Sequence, residues 1–384
     1  MSDFLRAVRE RVVIYDGAMG TSIQARNPSV DDYWGKEGCN ELLVLTRPDI
    51  IRDIHAGYFQ AGCDVVETNT FGATRIVLGE YQLEDKVGEI NRAAARLARE
   101  VAGDFSNGRK RLVAGSIGPT TKLPSLGHIS YDEMTATYLE QVLALIEGGV
   151  DILLVETCQD LLQAKAALAA VFDGMQQAGK RLPVQVQVTL EATGTMLLGT
   201  EIGAALTSLE PFDVDAIGLN CATGPKEMND AVRYLGINSP KEVSVLPNAG
   251  LPQNVGGHAV YALRPEELAE YHKLFITEYG VRIVGGCCGT TAEHLKKVAE
   301  VCADLQPAKR EVRPTAAAAS AYSMVPLDLD PKPLIVAEEM NATTRVATFR
   351  NLLQQGKYDD ILALAKKLAS EGSHMLDLCC AIVG

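Results

Sequence analysis

The sequence predicts an α/β protein whose main part is a TIM (β/α)8 barrel. Three observations predict it. Eight short β-like runs recur through the first three hundred residues, each is bounded by turn residues and followed by a helix-like segment, and most are apolar throughout rather than alternating. Strands that alternate with helices pair in parallel, and strands covered on both faces lose the polar alternation of a half-exposed sheet. Eight such units in about 305 residues fit a barrel of the usual size. An open doubly wound sheet has the same rhythm, but no Gly-x-Gly-x-x-Gly turn follows an early strand.

The runs fall at residues 11–17, 63–70, 111–119, 151–157, 183–190, 215–221, 243–250 and 281–289. Amphipathic stretches separate them, with recognisable helix starts: Pro48 suits a first turn, and Ser130 with Glu133 has capping-box spacing. Residues 1–305 are read as the barrel. From 306 to 332 the sequence turns to Pro, Ala and Ser, including the run from Ala316 to Ser320, and reads as a linker. Residues 333–384 read as a partial βαβ segment resembling the start of a second barrel: a strand at 334–338, a helix at 345–371 that breaks at Gly356, and a strand at 375–383. Two parallel strands leave a sheet edge and apolar surface uncovered, so this segment is expected to need more chain or a partner.

The 384 residues carry 49 Asp plus Glu against 36 Lys plus Arg, a formal net charge of −13. That balance excludes a general phosphate-backbone binder, so no nucleic acid is expected as a partner. The basic cluster Arg109-Lys110-Arg111 is read as solvated surface. No apolar run approaches the roughly 18 residues of a membrane span, so no membrane partner is expected. The N-terminus lacks the basic-then-apolar pattern of a secretion signal, so a reducing cytoplasmic location is expected and the nine cysteines are not a disulfide framework.

In such a barrel the chemistry sits at the C-terminal ends of the strands. The residues ending the runs are unusually polar: Asp16, Glu67-Thr68-Asn69, Ser116, Glu156-Thr157, Thr189, Asn220-Cys221, Asn248 and Cys287-Cys288. Neighbouring side chains of a strand point to opposite faces, so Cys287 and Cys288 reach one point only if the backbone leaves β geometry. The flanking Gly285-Gly286 and Gly289 permit that; two packed core cysteines or a vicinal disulfide are the alternatives. Strands six and eight open on the same mouth, so Cys221 can join them. Three thiolates are a zinc-type set, and three protein ligands leave one position open, as in a catalytic site. A thiol entering that position would lose its proton yet stay nucleophilic, which suits thiol alkylation better than hydrolysis. None of the six histidines ends a run, and His55, His272 and His294 are read as solvent-exposed or capping residues on helices.

Around that centre the residues read as an amino-acid cradle. Asp16 and Glu156 are suited to an ammonium group, and the backbone N–H groups of the turn from Asp16 through Gly17 to Thr21 to a carboxylate. Asn248 either contacts the open metal position when substrate is absent or ties down its turn. In the tail, Cys379-Cys380 repeats the vicinal pattern without a third converging cysteine and is read as apolar filler.

Taken together, Asp16-Gly17-Ala18-Met19-Gly20-Thr21, Glu67 to Gly72, Gly115 to Pro119, Asn220-Cys221, Pro247 to Gly250 and Gly285 to Thr291 resemble the zinc-dependent homocysteine S-methyltransferase family over residues 8–305. The resemblance implies zinc on Cys221, Cys287 and Cys288, homocysteine bound through its thiolate, its amino-acid end near Asp16, Gly17, Glu156 and Asn220, and Asn248 near the metal. Members differ in methyl donor: betaine, S-methylmethionine, or methylcobalamin carried on another domain or protein. The stretches from Ile335 to Asn341 and Leu376 to Cys379 look like the opening of the pterin-binding barrel that follows the homocysteine module in the cobalamin-dependent type. This order favours methylcobalamin and a corrinoid-carrying partner. Ala337, Glu339 and Cys379 depart from that opening, where the family has glycine, arginine and asparagine. A small methyl donor, or a non-catalytic module that docks a corrinoid protein, are the rival expectations.

Overall fold

The computed structural model describes residues 1–106, 108–255 and 258–382. Its main sheet has eight parallel strands, Val13–Ile14, Val65–Glu67, Leu112–Ile117, Ile152–Cys158, Val184–Val188, Ala216–Asn220, Glu242–Leu246 and Ile283–Val284, here numbered first to eighth. Each overlaps one of the eight predicted runs. Second to seventh pair in sequence order, and the eighth lies between the seventh and the first. A single parallel bridge between Tyr15 and Val65 joins first to second, which closes the barrel.

The fifth strand shows why the sequence folds this way. Val184, Val186 and Val188 face the helices and are buried there, while the alternate residues Gln185 and Gln187 face the bore. Inside, the Tyr15 hydroxyl donates to Gln185 Oε1 at 3.0 Å and Gln187 Nε2 donates to Ser244 Oγ at 3.0 Å. The helix Asp3–Glu10 closes the floor, with Phe4 and Val8 buried in one cluster with Val13, Tyr15 and Leu112. Both expected helix starts are present. Pro48 opens Pro48–Ala61, and Ser130 and Glu133 form a reciprocal capping box on Tyr131–Gly148.

At the floor, the cluster Arg109-Lys110-Arg111 is only in part the solvated patch expected from the sequence: Lys110 is exposed, but the two arginines are half-buried. Asp64 is buried just before the second strand and draws the arginines in: Arg11 and Arg109 each lie 2.6 Å from its carboxylate and Arg111 3.6 Å, while Lys110 pairs with Asp3 at 2.8 Å. The Ile14 amide also donates to Asp64 Oδ2, at 3.0 Å.

The chain divides into two compact units, the first ending at Pro314 and the second starting at Thr315. Residues at the start of the expected linker stay on the barrel. Arg310 donates to the carbonyls of Ser239 and Lys241 at 2.9 and 2.7 Å, and the Ala308 and Arg313 amides reach Ile276 and Ile237. Residues 315–332 hold a short antiparallel hairpin, Ala317–Ala319 with Met324–Pro326. Beyond it lies the expected βαβ arrangement. Val336–Ala337 pairs in parallel with Met375–Leu376, and the helices Thr348–Gln354 and Tyr358–Ser370 meet at Gly356, whose φ is +65°. Its core is small (Ala337, Met340, Ala342, Phe349 and Leu368), and Ile335, Val336 and Leu378 are exposed. Cys380 is exposed too, and Cys379 half-buried, so this pair is not the apolar filler expected; the small core does not reach it. Val383, the last residue of the predicted strand, and Gly384 lie outside the described residues. Among the described residues no helix is long and apolar enough to cross a membrane.

Candidate metal centre and amino-acid pocket

The sixth strand ends at Asn220 and the backbone turns at once into the left-handed region, with φ of 61° at Cys221 and 55° at Ala222. Non-glycine residues are uncommon there and are held by surrounding structure. Here the Cys221 amide is anchored to Leu246 O at 3.2 Å. The eighth strand stops at Val284, and the chain beyond it is held off the sheet: the Gly286 amide donates to Asp16 O at 3.0 Å and the Cys287 amide to Pro247 O at 2.8 Å. The packing demands glycine. A Cβ on Gly285 would lie 2.3 Å from a Leu246 methyl, and one on Gly286 2.4 Å from Thr290 Oγ1.

This geometry brings together the Sγ atoms of Cys221, Cys287 and Cys288, all within 4.8 Å of one another, with Cys221 and Cys288 3.8 Å apart. Metal–sulfur bonds of about 2.3 Å in a tetrahedron place sulfurs about 3.8 Å apart, so the donor set fits a zinc-sized ion. Hydrogen bonds from the Cys221 and Cys287 thiols pull Cys288 down to about 3, and the same crowding pushes Cys287 up. Tyr261 lies against Gly289 and adds to the lowering of Cys288.

The three thiols open on a cavity of about 210 Å³, whose walls include Gly17 to Thr21, Asn40, Glu41, Glu67, Ser116 and Glu156. Glu156 is fixed from two sides. Ser116 Oγ donates to its Oε1 at 2.5 Å, and Asn220 Nδ2 to its Oε2 at 3.1 Å. Asn220 lies behind the wall, where it also bonds Thr157 and holds that residue at φ 54°. Asp16 does not line the cavity. Its Oδ2 accepts the Glu67 amide at 3.1 Å, and its buried Oδ1 has no protein partner. Glu67, read from the sequence as a polar run end and as part of a family motif but not as a substrate contact, takes the place on the wall. Asn248 is likewise buried behind it, with its amide on Thr223 O and its Oδ1 unpartnered.

Burial pushes all three acids up: Glu156 to about 7, Asp16 and Glu67 well above the usual carboxylate range, with Glu156 adding repulsion to both. No Lys, Arg or His lines the cavity among the described residues. Buried carboxylates grouped without a built-in cation favour an ammonium ligand.

The histidines differ from expectation. His55 and His272 are fully buried rather than exposed, and burial lowers both to about 4. Neutral His272 donates from Nε2 to Gly285 O at 2.7 Å, just before the cysteine loop. His294 does cap its helix, accepting from the Thr291 amide at 3.3 Å. Two further residues behind the cavity wall, Thr290 and Tyr58, carry no individual mark in the sequence; Thr290 stands inside the Gly285–Thr291 motif, while nothing local distinguishes Tyr58.

Fold and site together define a (β/α)8 barrel with a three-thiol centre and an acidic pocket at its C-terminal mouth. Residues 13–302 match the homocysteine S-methyltransferase family, and the chain belongs to that family. It is 47% identical to methionine synthase of Mycobacterium tuberculosis (strain ATCC 25618 / H37Rv) over 384 residues and 46% identical to that of Mycobacterium leprae (strain TN) over 389. Both alignments cover all of this chain but only 32% of the relative, so the chain spans about a third of their length. The metallated form of the homocysteine methyltransferase MmuM from Escherichia coli shares the fold, with a TM-score of 0.62 at 23% identity over 77% of this chain and 99% of that one.

Proposed function

We propose that the barrel binds homocysteine and transfers a methyl group to its sulfur, giving methionine. The observation that carries this is the convergence of three thiols and a cation-free acid pocket on one cavity. Cys221, Cys287 and Cys288 would hold zinc, with one position left for the substrate sulfur. When bound, zinc supplies the Lewis acidity that deprotonates a thiol and orients it as a nucleophile.

The chain's own residues handle the rest of the substrate. Glu67 and Glu156 receive the ammonium, with Asp16 behind Glu67 and Asn220 behind Glu156 fixing their positions. Backbone N–H groups of the stretch from Gly17 to Thr21 receive the carboxylate, that of Ala18 excepted, which is bound to Thr290 Oγ1. The nine cysteines, all unpaired, suit a reducing cytoplasm.

The donor in this reading is methylcobalamin on a corrinoid-carrying domain or protein, favoured by the order of a barrel, a linker and a segment that resembles the opening of a pterin-binding barrel. Residues 333–384 would then open a pterin-binding-like domain. The test is turnover by the zinc-loaded chain with methylcobalamin, S-methylmethionine or betaine. Methionine formed from methylcobalamin supports the reading, turnover only with a small donor reassigns the donor, and homocysteine binding without turnover of any donor overturns the catalytic role.

A further inference from the structure

We propose that Thr290 is a positioning residue that fixes the spacing between the metal loop and the amino-acid turn, and so selects the chain length of the thiol amino acid accepted. This rests on the reading of the pocket as a homocysteine site. Gly17 and Ala18 wall the cavity on one side, and Gly286, Cys287 and Cys288 on another. Thr290 is fully buried and ties the two together through one hydroxyl: Oγ1 accepts from the Ala18 amide at 3.2 Å and donates to Cys287 O at 2.6 Å. The Tyr58 hydroxyl repeats the link behind it, 2.9 Å from Ala18 O and 3.3 Å from Thr290 O.

The contact is too close to slide. A Cβ on Gly17 would stand 2.5 Å from Thr290 Oγ1 and one on Gly286 2.4 Å, so both segments press on the same atom. A ligand gripped by its sulfur at one segment and by its carboxylate at the other reads that spacing directly. Cysteine, one methylene shorter than homocysteine, cannot satisfy both ends of a rigid pair. A difference of one methylene supports selectivity of about 10- to 200-fold.

The test compares Thr290→Val, which keeps the shape and removes both hydroxyl bonds, with Thr290→Ser, which keeps them. Zinc content and the dissociation constants of homocysteine and cysteine are measured on zinc-loaded protein. For Thr290→Val the expected result is unchanged zinc, a homocysteine Kd raised about tenfold and a much smaller change for cysteine. Thr290→Ser should remain near wild type. Unchanged selectivity in Thr290→Val overturns the proposal, and so does loss of zinc in that variant alone, which would assign the hydroxyl to the metal loop only. Should Thr290→Val not fold, Tyr58→Phe decides: it should narrow the homocysteine-to-cysteine preference with zinc retained, and an unchanged preference overturns the proposal. Failure of wild-type protein to bind homocysteine would overturn the underlying reading instead, and is seen without any variant.

Discussion

The barrel buries carboxylates at both ends and treats them in opposite ways. At the floor, burial pushes Asp64 up, but Arg11 and Arg111 pull against it and three arginines lie within reach. At the mouth, Asp16, Glu67 and Glu156 stand together, and each raises the cost of ionising the next. The same residue type is therefore structural where its countercharge is built in, and a binding element where the countercharge is left to a ligand. The fold fixes the first arrangement and, in the proposed reading, leaves the second to be completed by substrate.

The most severe way to test that contrast is to remove the mouth's other charged component. Alanine at Cys221, Cys287 or Cys288 should abolish stoichiometric zinc and reduce methyl transfer to background, measured by metal analysis and turnover, while leaving the floor and the melting temperature of the zinc-free protein nearly unchanged. Chelation of wild type should have the same effect and be reversed by added zinc.

Next in size, Asp64→Ala leaves three arginines without their carboxylate and should cost about 3 kcal/mol in denaturant unfolding. The mirror substitution at the mouth, Glu156→Gln, should do the reverse. Folded Glu156 titrates near 7 against an ordinary value of 4.5, so the folded chain holds a proton there that the unfolded chain releases. That contribution is full below about pH 4.5 and lost as pH rises through 7, on the order of 3 kcal/mol. Glu156→Gln should therefore raise the stability of the zinc-free, substrate-free protein at pH 8 and flatten its pH dependence, while weakening homocysteine binding. A Glu156→Gln protein that is less stable at pH 8 would break the comparison. Smallest of the set, Asn220→Ala should raise the homocysteine Kd about tenfold with zinc retained, because Glu156 loses one of the two hydrogen bonds that orient it.

Much of this is legible in the sequence because barrel geometry turns strand ends into a list of mouth residues. All eight runs mark strands, and Cys221 and Cys287-Cys288 stand out by chemistry at the ends of two of them. Strand periodicity reports which face a side chain takes, but not its partner across the fold. Asp16 has a mouth position in sequence yet turns to the Glu67 amide, and Asn220 supports Glu156 from 64 residues away. The basic cluster at 109–111 reads as surface for the same reason: its countercharge, Asp64, lies beside another strand. His272 looks like an ordinary helical residue because its acceptor, Gly285 O, becomes its neighbour only when the barrel closes.

Closure itself is thin at one place. The first and eighth strands are two residues each, and one bridge, Tyr15 to Val65, completes the ring. Local opening is expected to begin at such a seam, where few hydrogen bonds must break. Cys287 and Cys288 follow the eighth strand after Gly285-Gly286 and Cys221 follows the sixth, so an ion held by all three would clasp the end of the eighth strand, on which the first strand is paired, one strand away from that seam. Amide hydrogen exchange at Val13, Tyr15 and Asp64 should then slow when zinc is added, while exchange on the fourth and fifth strands stays as it was. The metal centre would thus govern how often the barrel breathes as well as what it binds.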